Sequence, residues 1–257
     1  MSTRPFIISI EGNIGAGKST IIDKLGKKLV DNQEIILLKE PVDIWESIRE
    51  TSTGENILQK FYSDPHKYAF SFQVMAYVTR LSLIRNTIRN NPDCKVIICE
   101  RSLDADRNIF AKMLFDDGQI EDIHYQIYLR FYNEYAKDYQ IDGIVYIDAD
   151  AEVCHRRIAK RSRDGESGIP IDYLQKCKLY YDNWLSSILA TTDVLHINTN
   201  EDVSYNVFDK DDMGNQWLQK IEEYIHRLVN CVPTEENKSM IDVLESFIVS
   251  LHAWSIK

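Results

Sequence analysis

Residues 8–20 read Ile-Ser-Ile-Glu-Gly-Asn-Ile-Gly-Ala-Gly-Lys-Ser-Thr, and this stretch decides the fold. Its core, Gly12-Asn13-Ile14-Gly15-Ala16-Gly17-Lys18-Ser19, satisfies the phosphate-loop pattern G-x-x-x-x-G-K-[ST]. Glycines let the backbone curl until successive N–H groups face a phosphate, and the helix that follows adds the positive end of its dipole. Lys18 would reach the β- and γ-phosphates of a nucleotide, and the Ser19 hydroxyl would ligate Mg²⁺. Such a loop needs a strand before it and a helix after it. Residues 6–10 are a short β-branched apolar run, and Ile21, Ile22, Leu25 and Leu29 follow at helical spacing. The expected nucleotide contacts are Gly12, Asn13, Gly15, Ala16, Gly17, Lys18, Ser19 and Thr20.

Working outward, further apolar runs fall at residues 35–38, 96–99, 143–147 and 194–197, with helical segments between them. Five continuous apolar strands alternating with helices predict a parallel sheet covered on both faces, a doubly wound α/β fold of P-loop kinase type. Ligands in such sheets bind beyond the carboxyl ends of the strands. Those ends carry Glu11, Glu40, Glu100 with Arg101, and Asp148. Long helical patterns cover residues 67–89, 120–137 and 171–190. Tyr125, Tyr128, Tyr132, Tyr180, Tyr181 and Trp184 give the last two aromatic faces, to pack on the sheet or on a second subunit. A breaker cluster at 233–237 precedes Met240, Leu244, Phe247, Ile248 and Leu251 at helical spacing. The expected organisation is a kinase domain over residues 1–229 and a docked helical extension over 230–257.

Composition narrows the partners. The 257 residues are 44% hydrophobic and 27% charged, as in a globular protein, and the net charge of -10 argues against general affinity for nucleic acid or anionic membrane. Five cysteines without a C-x-x-C pair suggest reduced thiols rather than a disulfide framework or a zinc site. The first apolar run is too short for a signal-peptide core, and no run reaches membrane-spanning length, so the expected location is the cytosol.

The loop alone does not specify a reaction. The base-reading N-K-x-D of switch GTPases does not occur, and Glu100-Arg101-Ser102 stands where motor ATPases place paired acids. Small-molecule kinases fit better, because Arg156, Arg157, Lys160, Arg161 and Arg163 form a basic cluster after the fourth strand, suited to a lid over a transferring phosphoryl group.

These residues resemble the cellular and viral deoxyribonucleoside kinases. The resemblance runs from about Ile8 to Leu228 and rests on several motifs in order: Glu11 through Ser19, Glu40-Pro41-Val42 with Trp45, Asn56-Ile57-Leu58-Gln59 with Tyr62, and Phe70-Ser71-Phe72-Gln73. Then come Glu100-Arg101-Ser102, Asp106-Arg107, the arginine cluster, and Gly168-Ile169-Pro170 with Tyr173-Leu174. The resemblance implies that Glu40 takes the proton from a nucleoside 5′-hydroxyl, a role within reach of a carboxylate at a strand end facing the loop. It implies that Arg101 holds the attacking oxygen and Glu40, that Glu100 sits near Mg²⁺, and that Arg157, Arg161 and Arg163 neutralise the transferring group. Tyr62 and Glu166 match residues that grip the sugar 3′-hydroxyl. Phe72 and Phe110 match the base sandwich, with Ile14, Trp45, Leu58 and Phe61 closing the walls, and Gln73 matches the amide that reads the base edge. Glu201-Asp202 matches the adenine-side loop loosely.

The resemblance implies that substrate choice hangs on Ala76, Arg80 and Asp106, where the deoxycytidine and purine members of the family carry an arginine and an aspartate at the last two positions, as here. A carboxylate only accepts, so Asp106 favours a base with an exocyclic amine over thymine. Deoxycytidine or a purine deoxynucleoside is expected over thymidine, against the alternative of a salt bridge without selectivity. A nucleoside monophosphate kinase would carry a different motif at Glu100-Arg101-Ser102. A non-catalytic structural relative would have lost Lys18, Glu40, Arg101 or the basic cluster. The family further implies a homodimer.

Overall fold

A computed structural model describes residues 4–30, 32–161, 166, 168–206, 208–209 and 211–230. The five apolar runs form one parallel sheet: β1 (Phe6–Glu11), β2 (Ile35–Leu38), β3 (Val96–Glu100), β4 (Gly143–Asp148) and β5 (Asp193–Asn198), in spatial order β2-β3-β1-β4-β5. Sheet position explains their composition. β1 and β3 lie inside the sheet with almost every residue buried, whereas the edge strands β2 and β5 are largely half-buried.

The helices in chain order are α1 (Lys18–Lys28), α2 (Val42–Ser47), α3 (Ile57–Ser63), α4 (Pro65–Asn90), α5 (Leu103–Ala105), α6 (Lys112–Asp116), α7 (Asp122–Tyr135), α8 (Ala151–Arg161), α9 (Ile171–Ile188) and α10 (Met213–Asn230). A π-helical segment, Asp106–Ala111, joins α5 to α6, and a 3₁₀ turn, Ala136–Tyr139, follows α7. Alternation along the strands divides the core. Ile8 and Ile10 pack with Ile21 and Leu25 of α1, Ile158 of α8 and Ile221 of α10. Ile7 and Ile97 point the other way, toward Tyr77 of α4 and Tyr128 and Tyr132 of α7. Ile144 and Tyr146 meet Tyr181 and Trp184 of α9. Tyr125 and Tyr180 are only half-buried, so part of the aromatic faces remains at the surface.

Every expected strand and the three long helices are present, with boundaries displaced by a few residues at most. The parallel ladder extends far enough to place Glu11, Glu100 and Asp148 inside their strands rather than after them. Asp148 turns to pairing, with Lys178 Nζ at 2.6 Å and His196 Nε2 at 3.0 Å. Of the expected extension over 230–257, all but Asn230 lies outside the described residues, as does Arg163.

Candidate active site

β1 lies between β3 and β4, so the loop leaving it opens at the switch point of the sheet, where the end of β3 and the lid helix α8 also converge. Two glycines of the loop are sterically required. Gly12 has φ 143° and a Cβ there would lie 2.4 Å from the Ile147 carbonyl oxygen; Gly15 has φ 82° and its Cβ would lie 2.6 Å from the Cys154 carbonyl oxygen. Lys18 Nζ donates to the Asn13 carbonyl at 2.9 Å. Burial and then the nearby Arg101 push its ammonium down from 10.5 to about 8. Ser19 Oγ donates to Glu100 Oε1 at 2.6 Å, so two hard oxygen donors stand together beside the loop. That set suits a magnesium ion which takes its other ligands from phosphates and water. Arg157 of α8 reaches the Ala16 carbonyl at 3.3 Å, the Glu201 carbonyl at 2.9 Å and Asp202 Oδ1 at 2.9 Å. The loosely matched pair 201–202 is thus tied to the loop through the lid helix.

The other half of the site is built from side chains. Glu40, just beyond β2, accepts from Arg101 Nη1 and Arg80 Nη2, both at 3.1 Å. Burial alone would raise its carboxyl, but Arg101, Arg80 and Lys18 outweigh that and hold it at about 2. Arg80 also donates through Nε to Asp106 Oδ2 at 2.9 Å and through Nη1 to the Glu100 carbonyl at 2.7 Å. The pairing of Arg80 with Asp106 is therefore part of a structural network that reaches the end of β3. α4 makes this geometry possible: Phe72, Ala76 and Arg80 recur every four residues on its buried stripe, with Gln73 beside them. Its start is fixed by Pro65 and by Asp64, whose side chain caps Lys67 N. The π turn brings Asp106 and Phe110 to the same cleft.

Phe72 stacks on Phe61 with centroids 4.7 Å apart and meets Trp45 edge-on at 5.5 Å, while the Arg101 guanidinium lies 4.3 Å over the Phe110 ring. The side-chain oxygen of Gln73 is buried with no partner among the described residues, as is Arg101 Nε. Buried polar atoms left unpaired are uncommon and call for an explanation such as a ligand. Glu166 is buried and pairs with Arg161 of α8. The Tyr62 hydroxyl is pushed well up, by burial and then by the charge of Glu166.

The phosphate loop from Ile14 onward and the side chains opposite it share one cleft of about 640 Å³. Its walls include Ile14, Gly15, Ala16, Gly17, Lys18, Ser19, Thr20, Glu40, Trp45, Leu58, Phe61, Tyr62, Phe72, Gln73, Ala76, Arg80, Glu100, Arg101, Asp106, Phe110, Arg157, Arg161, Glu166, Glu201 and Asp202. Gly12 and Asn13 form the base of the loop without lining the cleft. Tyr173, Thr199, Val203, Tyr205 and Trp217 line it too and were missed by the sequence reading. Tyr173 stood in a motif already quoted; the others come from the segment after β5, whose pattern carries no chemical signal.

A phosphate loop at a sheet switch point, a basic lid helix and a carboxylate across one cleft define a P-loop kinase. The family model for deoxynucleoside kinase matches residues 8–225. A probable deoxycytidine kinase of fowlpox virus is 37% identical over 185 residues, covering 70% of this chain and 71% of that protein. Human deoxycytidine kinase is 30% identical over 252 residues, covering 88% and 93%, and a mitochondrial deoxyguanosine kinase of Xenopus laevis is 29% identical over 236 residues, covering 81% and 87%. The chain belongs to the deoxynucleoside kinase family, and it is a phosphotransferase. Among the described residues no helix is long and apolar enough to cross a membrane.

Proposed function

We propose that this enzyme transfers the γ-phosphoryl group of ATP to the 5′-hydroxyl of a deoxyribonucleoside in nucleotide salvage, taking deoxycytidine or a purine deoxynucleoside in preference to thymidine. The observation that carries the reading is a single cleft joining the phosphate loop to an aromatic slot, with Glu40 between them and, in the slot, a Gln73 side-chain oxygen that has no partner among the described residues. Glu40 stays ionised at working pH and accepts the hydrogen bond of the 5′-hydroxyl. With a carboxyl at about 2 it is a weak base, which suits a loose phosphoryl transfer that needs positioning and charge neutralisation more than early deprotonation. Arg101 orients Glu40 and the attacking oxygen, while Lys18, Arg157, Arg161 and Arg163 offset the charge of the phosphates. Magnesium held near Ser19 and Glu100, when bound, supplies further neutralisation.

Tyr62 and Glu166 take the sugar 3′-hydroxyl. Phe72 and Phe110 flank the base, and Gln73 offers its edge one donor and one acceptor. Asp106 keeps accepting capacity beyond its bonds to Arg80, which suits an exocyclic amine and repels a thymine carbonyl. Initial rates on the four deoxynucleosides, with ATP and Mg²⁺, test this directly. Thymidine as the best substrate would overturn the preference, and no turnover on any nucleoside by folded protein would overturn the activity.

The kinase works in the cytosol as a homodimer. Ile123, Ile127, Phe131 and Tyr135 are exposed at four-residue spacing on α7, with exposed Val78 on the adjoining α4, a stripe that a second copy would cover. Light scattering should give twice the chain mass, and a monomer at all concentrations would refute it.

A further inference from the structure

Glu11 is a fully buried carboxylate at the end of β1 with no role in the chemistry above, and it forms no ion pair among the described residues. Its oxygens are instead surrounded by neutral donors. Oε1 accepts from Ser9 Oγ at 2.5 Å, Ser102 N at 2.8 Å and Ser102 Oγ at 2.6 Å, and Oε2 accepts from Tyr181 Oη at 3.2 Å. Burying a charge is costly even when its lone pairs are filled, and apolar side chains of similar volume are often as stable. Stability alone does not require a carboxylate here.

Its neighbour in space supplies a reason. Arg101 has φ 68°, a left-handed backbone that is unfavourable for a residue with a Cβ and persists only where the surroundings over-determine it. Both flanking amides are pinned to consecutive residues of β1: Arg101 N donates to the Ile10 carbonyl at 3.0 Å, and Ser102 N donates to the Glu11 side chain. The same turn sends the Arg101 guanidinium across the Phe110 ring to Glu40 and to the Gly12 carbonyl at 3.4 Å. Ser9 and Tyr181 in turn fix the Glu11 carboxylate, so a strand and a helix brace the turn together.

We infer that Glu11 is a positioning residue for phosphoryl transfer, holding Arg101 in the left-handed turn that aims its guanidinium at Glu40. The inference rests on the reading in which Arg101 and Glu40 act on the acceptor hydroxyl. Removing the charge weakens every donor to Oε1 and lets the turn relax, and a shift of about 1 Å at a positioned group can cost roughly 100-fold in rate.

Glu11→Gln, close in shape, is compared with wild type, Arg101→Ala and the double variant by single-turnover kinetics at saturating ATP and deoxynucleoside. The expected result is a loss of about tenfold in the rate for Glu11→Gln, with both KM values within about twofold, and no further loss on top of Arg101→Ala. A residue that merely stabilised the fold would cause equal losses in both backgrounds. If Glu11→Gln does not fold, Tyr181→Phe removes the Oε2 donor while keeping the ring and should show a smaller loss with the same dependence on Arg101. An unchanged rate in the folded variant, or an equal loss with and without Arg101, overturns the proposal. A full rate in Arg101→Ala is a different failure, that of the role assigned to Arg101 itself.

Discussion

The two halves of the cleft present charge to a ligand in different ways. On the donor side one continuous loop supplies backbone N–H groups and a single lysine, and its shape depends on glycines only a few residues apart. On the acceptor side Glu40, Arg80, Arg101 and Asp106 come from the end of β2, α4, the turn after β3 and the π segment, and they neutralise one another in a nearly dry network. Backbone dipoles carry no net charge that must be desolvated, whereas each side-chain ion needs a partner. The donor half can therefore be specified locally, and the acceptor half only by the whole fold.

Removing a charge should expose this contrast most strongly at Glu40. Glu40→Gln leaves Arg101 and Arg80 buried without their shared carboxylate and removes the negative charge and proton acceptor proposed for the 5′-hydroxyl, while keeping a neutral hydrogen-bonding oxygen. A fall in kcat of about 1,000-fold is expected, with nucleoside binding, followed by calorimetry, changed by less than about tenfold. Lys18→Ala should cost roughly 100-fold in kcat and should raise the KM for ATP while leaving nucleoside binding intact. If Glu40→Gln instead weakened ATP binding as much as Lys18→Ala does, the two halves would not be separable.

The next effect concerns the network itself. Arg80→Met alone strands Asp106 as a buried charge and should destabilise by about 3–5 kcal/mol in denaturant titration. Combining it with Asp106→Ala removes both partners and should restore much of that stability. The pair should also raise the thymidine to deoxycytidine ratio of kcat/KM by about 10–200-fold, the range open to one changed contact in a base pocket. An unaltered ratio would reduce Arg80 and Asp106 to a structural bridge.

The same contrast explains what the sequence disclosed. The loop, with its strand and helix, was readable because every requirement lies within a few neighbouring residues. The five strands were readable because strands covered on both faces become continuous apolar runs. α2 and α3 were not, being too short to show a period, although Asn56 and Gln59 form a capping box that marks the start of α3. The π turn that brings Asp106 and Phe110 to the cleft has no local pattern at all. Glu40 could be singled out by its place at the end of the second strand, but its role, and Gln73 and Asp106 altogether, came only through resemblance, since no spacing in the chain announces that they meet. Glu11 was quoted as the head of the loop motif, yet its bonds to Ser102 and Tyr181 span 91 and 170 residues and appear only in three dimensions.

The smallest effect is on pH, and it separates the halves without changing a residue. Burial and Arg101 hold Lys18 at about 8, so the free enzyme loses the charge that attracts phosphates as pH rises through that value. Because kcat/KM for ATP at saturating nucleoside reports groups of the nucleoside-bound enzyme before ATP binds, it should fall about tenfold between pH 8 and pH 9.5 as Lys18 loses its charge. Glu40, held at about 2 by Arg101, Arg80 and Lys18 against its burial, is ionised throughout the accessible range, so it should add no acidic limb between pH 5 and 7. Lys18→Arg keeps its charge in this range and should abolish the alkaline limb, whatever plateau it reaches. An alkaline limb surviving Lys18→Arg would place the titrating group elsewhere, and an acidic limb near pH 6 that moved with Glu40→Asp would mean that the acceptor half is far less tightly paired than its geometry requires.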